Sequence, residues 1–146
     1  MSDGNFTEMT IDERLLPGPR AFLVSGYGTD ALGTLSAFLE TLGYTDVPIK
    51  PCTSAQIDDT VQSVLESDTA GPPAGEGKLP NVMVFSGVTR QDVQAVMGRF
   101  SESGLPRPIF AVATPTSLGF TAKTLLLHLL EEEKAVRAAA RKPKTL

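Results

Sequence analysis

A short apolar run, a helical stripe, a proline-bearing run and a second helical stripe occur twice along this chain. That order is the strongest constraint on its fold. Ala21-Phe22-Leu23-Val24 is continuously apolar and ends at Ser25-Gly26. Leu32, Leu35, Leu39 and Leu42 follow at helical spacing, with Gly43 placed to end the helix. Val47-Pro48-Ile49-Lys50-Pro51-Cys52 reads as a second strand. Ile57, Val61, Val64 and Leu65 form the next stripe, and Thr53 with Gln56 supplies a Thr-x-x-Gln capping box before it. Further along, Val82-Met83-Val84-Phe85 ends at Ser86-Gly87, and Val93, Val96, Met97 and Phe100 form a stripe after Thr89-x-x-Asp92. Gly104 ends that stripe, Ile109 to Ala113 is a fourth strand, and a long helix is expected from about Thr121 to Arg141.

Sliding the chain on itself by about 61 positions superposes Ser25-Gly26 on Ser86-Gly87, Gly43 on Gly104 and Thr53 on Thr114, without a gap. Leu32 and Leu35 fall on Val93 and Val96, although few identities survive. The expected domain is therefore α/β, a three-layer sandwich of two βαβα pseudo-repeats around a four-stranded, mostly parallel sheet. Proline cannot donate to a ladder, so the strands carrying Pro48 and Pro51 or following Pro106 and Pro108 belong at the edges. The proline-free first and third strands belong inside, which gives the order 2-1-3-4. Right-handed crossovers in a parallel sheet would put the first helix on one face with the fourth, and the second and third on the other.

Composition removes several classes of function. The 146 residues are 41% apolar and 21% charged, ordinary for one globular domain. Lys+Arg 13 against Asp+Glu 17 leaves a net charge of −4, which argues against a nucleic-acid partner. One cysteine excludes an internal disulfide and a Cys-only zinc site, and one histidine excludes multi-histidine metal sites. No apolar stretch approaches the roughly 20 residues of a membrane helix, and Met1 to Asn5 lack signal architecture. The setting implied is cytoplasmic, with no membrane partner and no cofactor. Residues 1–19 read as a poorly ordered leader, 20–141 as one domain with a flexible linker at 67–80, and 142–146 as a basic tail.

In an open parallel sheet a ligand crevice lies beyond the strand carboxyl ends, where the strand order reverses. The candidate binding residues there are Ser25, Gly26, Gly28 and Thr29 after the first strand, Ser86, Gly87, Thr89 and Arg90 after the third, and Thr114 after the fourth. Each of the first two segments leads into a helix N-terminus, which favours an anion. The simpler role of these residues is turn chemistry, with Thr29 and Thr89 as N-caps. A dinucleotide site lacks its acidic ribose partner, because Lys50, Pro51 and Cys52 end the second strand. A phosphorelay receiver is excluded, because the third strand ends without an aspartate. Cys52 and His128 read as packing residues rather than catalytic ones, and no metal or catalytic set emerges.

The last helix carries more leucine than one sheet face needs. Leu126, Leu127 and Leu130 are accordingly candidate homodimer contacts, and an unidentified protein partner is the other use for such a face. Glu131-Glu132-Glu133 precedes Lys134 and Arg137, the order that favours pairs such as Glu133 with Arg137.

The second half also resembles a known family. Val84-Phe85-Ser86-Gly87, then Pro108 to Thr114, then Leu125-Leu126-x-x-Leu129-Leu130 with Glu131 to Glu133 are similar to the domain-of-unknown-function family 3783 of bacterial proteins. Ala111-Val112-Ala113-Thr114 and Phe120 stand where that family has Ala-x-x-Thr and an aromatic residue. Phe120 replaces the usual Trp, and the usual His after the Glu run is missing. The resemblance spans Asn81 to Val136 and implies no activity. Two functions are therefore expected to compete: a non-enzymatic interaction module that self-associates, and a binder of an anionic small molecule or nucleotide at the switch point between strands one and three.

Overall fold

The computed structural model describes residues 15–53, 56–67 and 79–141. The 1–14 part of the leader, most of the linker and the basic tail 142–146 lie outside the described residues. The elements run β1 (Ala21–Ser25), α1 (Thr29–Thr41), β2 (Ile49–Pro51), α2 (Val61–Glu66), β3 (Val82–Ser86), α3 (Arg90–Arg99), β4 (Ile109–Val112), α4 (Pro115–Leu118) and α5 (Ala122–Arg141). A 3-10 turn at Phe100–Ser103 follows α3.

The fold is α/β, and the four strands form one open sheet in the order β2-β1-β3-β4. β1 pairs parallel with β2, and β3 parallel with β4. The central pair is antiparallel, with Ala21 opposite Ser86, Leu23 opposite Val84 and Ser25 opposite Val82. β1 and β3 are buried at every position, as central strands covered on both faces must be.

The antiparallel centre overturns the expected helix placement. A right-handed crossover fixes the helix face by strand direction and by the side to which the chain moves. β1 to β2 and β3 to β4 differ in both, so the two reversals cancel. Phe22, Val24, Met83 and Phe85 therefore share one core with Leu35 and Leu39 of α1 and Val93 and Val96 of α3. Ala21, Leu23, Val82 and Val84 share the other with Val61, Val64 and Leu65 of α2 and Leu125, Leu126 and Leu129 of α5.

Local chemistry sets the helix ends. Thr89 and Asp92 close a full capping box on α3, with both bonds at 3.0 Å. Thr60, not Thr53, caps α2, accepting from the Ser63 N–H at 3.1 Å. Gln56 still accepts from the Thr53 N–H at 3.1 Å, so the expected box forms half its bonds on a turn ahead of the helix. α1 begins at Thr29, and its N-cap is Gly28, which makes no side-chain cap. Part of the presumed leader is held in place, with Leu16 N–H donating to the Val88 carbonyl at 2.6 Å and Gly87 N–H to the Pro17 carbonyl at 3.2 Å.

Candidate functional site

The sheet direction decides which expected site residues can meet. Ser25 pairs with Val82 and Ser86 with Ala21, so the carboxyl ends of β1 and β3 lie at opposite ends of the sheet. The single crevice expected between them does not form. Ser25, Gly26, Gly28 and Thr29 lie at one end; Ser86, Gly87, Thr89 and Arg90 lie at the other, where Thr114 also follows the parallel β4.

Both Ser-Gly pairs are packed into the chain that crosses them. The Ser25 hydroxyl donates to the Pro80 carbonyl at 2.6 Å, and the Ser86 hydroxyl to the Pro17 carbonyl at 3.5 Å. Gly26 (φ 87°) and Gly87 (φ 67°) have left-handed backbones. A Cβ would stand 2.6 Å from the Pro80 carbonyl oxygen at Gly26 and 2.6 Å from Arg20 Cα at Gly87. Thr114 caps α4, accepting from the Ser117 N–H at 3.0 Å, and Arg90 is exposed.

A polar cluster that the sequence did not announce sits at the α3 end. The Tyr44 hydroxyl donates to Asp92 at 2.8 Å. Arg20 pairs with Asp46 at 3.1 Å and donates to the Gly87 carbonyl at 3.4 Å. Burial, helped by the hydrogen bond and charge of Asp92, pushes the Tyr44 phenol up to about 12. Asp92 is raised by burial, but hydrogen bonds from the Thr89 backbone, Tyr44 and the Thr89 side chain, with the Arg20 charge, bring it below its ordinary value. Burial likewise pushes Tyr27 up to about 12, and its hydroxyl donates to the Pro106 carbonyl. Cys52 is buried; desolvation and then the Asp59 charge push its thiol up to about 11. His128 is exposed beside the Phe120 ring, 5.2 Å between centroids. Among the described residues no three His, Cys, Asp or Glu are grouped to hold a metal ion, and no helix is long and apolar enough to cross a membrane.

Among the described residues, the outer edge of β4 leaves backbone groups open. Ile109 N–H donates to the Asn81 carbonyl and Ala113 N–H to the Phe85 carbonyl, both at 2.9 Å. In a parallel pair alternate residues turn their backbones to the neighbour, so Phe110 and Val112 turn theirs away from β3, to a side where no further strand lies among the described residues. Ile109 to Val112 are all half-buried and apolar. On the opposite edge, Phe22 N–H donates to the Pro48 carbonyl and Cys52 N–H to Val24, which turns Ile49 and Pro51 outward. Pro51 has no N–H to offer, so that edge lacks a donor that β4 retains.

Two clefts flank β4. One, of about 550 Å³, lies at its N-terminal end among Asn81, Met97, Arg107, Pro108, Glu133 and Arg137. The other, of about 350 Å³, lies toward its C-terminal end among Thr114, Ser117, Phe120, His128, Leu129 and Glu132. Arg107 sits over the Phe110 ring at 4.9 Å, while Arg137 is held by Glu133 at 2.9 Å. A further cleft of about 430 Å³ lies between α1 and β2, lined by Leu32, Ser36, Tyr44, Ile49 and Pro51.

The leucines of α5 divide. Leu126 is 5% exposed and belongs to the core, so it is not free for a second chain. Leu127 is 52% and Val136 64% exposed, and Leu130 is half-buried.

Residues 81–136 match the model of a family described as a domain of unknown function, DUF3783. No curated protein and no solved structure matches the chain.

Proposed function

With residues 81–136 matching the DUF3783 family model, we propose that the chain is a small, non-enzymatic interaction module that self-associates through the edge of β4. The observation that carries this reading is the pair of outward backbones at Phe110 and Val112, set in a half-buried apolar strand. Such an edge is completed by another strand. A second copy fits by symmetry. An antiparallel pairing centred on Ala111 matches Phe110 with the partner's Val112, and Val112 with the partner's Phe110.

Charge supports the same occupant. The N-terminal end of one β4 then meets the C-terminal end of the other. Arg107 stands at the first end and Glu132 at the second, and neither has a salt-bridge partner among the described residues. Leu127 on α5 adds exposed apolar surface. The non-enzymatic part rests on quiet reactive groups: the Cys52 thiol is buried and raised, and the Asp92 carboxylate is spent on capping α3. A cytoplasmic setting belongs to this reading, since a buried reduced cysteine suits it.

The charge pair is tested by sedimentation of Arg107→Glu, Glu132→Arg and the double variant. Each single reversal is expected to weaken self-association several-fold, and the double variant to restore it. Singles that associate as strongly as the parent, or weakened singles that the double variant does not restore, would remove the proposed geometry.

A further inference from the structure

The family model covers only residues 81–136. We infer that residues 20–66 are a second, diverged copy of that same domain, and that the β1–β3 seam is the surface by which one copy takes another.

The offset of 61 seen in the sequence recurs at the starts of three pairs of elements. β1 begins at Ala21 and β3 at Val82, α1 at Thr29 and α3 at Arg90, α2 at Val61 and α5 at Ala122. The β1–α1 and β3–α3 connections are equal in length, and the strand register keeps the same offset, with Phe22 opposite Ile49 and Met83 opposite Phe110. The hydrogen bonds repeat at the same offset. Cys52 N–H donates to the Val24 carbonyl at 2.7 Å, and Ala113 N–H to Phe85 at 2.9 Å. Ser63 N–H donates to the Thr60 hydroxyl at 3.1 Å, and Thr124 N–H to the Thr121 hydroxyl at 3.1 Å.

The seam itself carries the symmetry. Leu23 and Val84, which are equivalent residues, lie opposite each other, and the rest of the β1–β3 register is symmetric about them. Thr60 and Thr121 are also equivalent and also face each other. Val61 N–H donates to the Phe120 carbonyl and Ala122 N–H to the Asp59 carbonyl, both at 2.8 Å, so each half gives the other the bond it receives. Gly26 fits against Asn81, and Gly87 against Arg20, the residue equivalent to Asn81. Leu23 with Val84 and Thr60 with Thr121 are residues meeting their own counterparts, and the other contacts come as reciprocal pairs, as at an isologous dimer contact. The matching surface of one copy is thus a second copy of the same domain.

The experiment is a pair of full-length chimeras. In one, residues 20–66 are replaced by the sequence of 81–127; in the other, 81–127 are replaced by the sequence of 20–66. At least one is expected to unfold cooperatively with the far-ultraviolet dichroism of the parent. Loss of cooperative unfolding in both would overturn the inference. In the parent, Thr60→Cys with Thr121→Cys is expected to close an intramolecular disulfide, read as a mobility shift lost on reduction. Its failure to close under oxidant would also overturn the symmetric seam.

Discussion

Tyr44 donates a 2.8 Å hydrogen bond to Asp92 across 48 positions of sequence, tying the loop after α1 to the first turn of α3. The same carboxylate accepts from the Thr89 N–H at 3.0 Å. Both bonds favour the charged form, which is why Asp92 titrates below its ordinary value although burial opposes it. A group whose folded value is depressed stabilises the fold above its unfolded value, about 3.9 for aspartate. That contribution disappears as pH falls through the folded value. Urea unfolding should therefore show stability falling from about pH 5 toward pH 2, with a smaller acid loss in Asp92→Asn. At neutral pH Tyr44→Phe should cost about 1 kcal/mol. An unchanged acid profile in Asp92→Asn would contradict this.

The two left-handed glycines that follow β1 and β3 give a second prediction. At Gly26 and Gly87 an added Cβ meets backbone, which cannot swing aside. Left-handed backbone alone costs a residue with a Cβ roughly 1–2 kcal/mol, so Gly26→Ala and Gly87→Ala should each exceed about 2 kcal/mol. Gly43 has φ 97° but open space around its Cβ position, and Gly43→Ala should cost only the conformational part. Equal losses at all three positions, measured by denaturant midpoint, would be inconsistent with the packing at the crossings.

Much of this fold is legible in the sequence. Pro48 and Pro51 on one strand, and Pro106 and Pro108 ahead of another, placed both edges, because a missing N–H has the same consequence in any topology. The direction of β3 was not legible. Ala21 to Val24 and Val82 to Phe85 are continuously apolar, and a run without alternation reads the same in either direction. That one reversal moved α3 to the face of α1 and separated Ser25 from Ser86. The Tyr44–Asp92 bond was hidden for another reason, since no local spacing links residues brought together by tertiary packing. Glu133 with Arg137 was legible, because an i,i+4 pair depends only on the helix.

Two adjacent leucines of α5 should behave differently. Leu126 is in the core, whereas Leu127 is 52% exposed. Leu126→Ala should cost about 2–5 kcal/mol, and Leu127→Ala should lie within about 0.5 kcal/mol of the parent. Thermal unfolding of the two variants reads the difference directly. Comparable losses would mean that α5 is rotated from the orientation described.

The most direct test of self-association through β4 is sedimentation velocity of the parent chain and of Val112→Pro over a range of concentrations reaching tens of micromolar. Proline already stands at the equivalent edge position, Pro51 on β2, so the substitution should keep the fold while deleting the outward N–H. The account predicts a reversible dimer for the parent and a folded monomer for Val112→Pro. A parent that stays monomeric throughout, or a variant that dimerises as strongly as the parent, would contradict it.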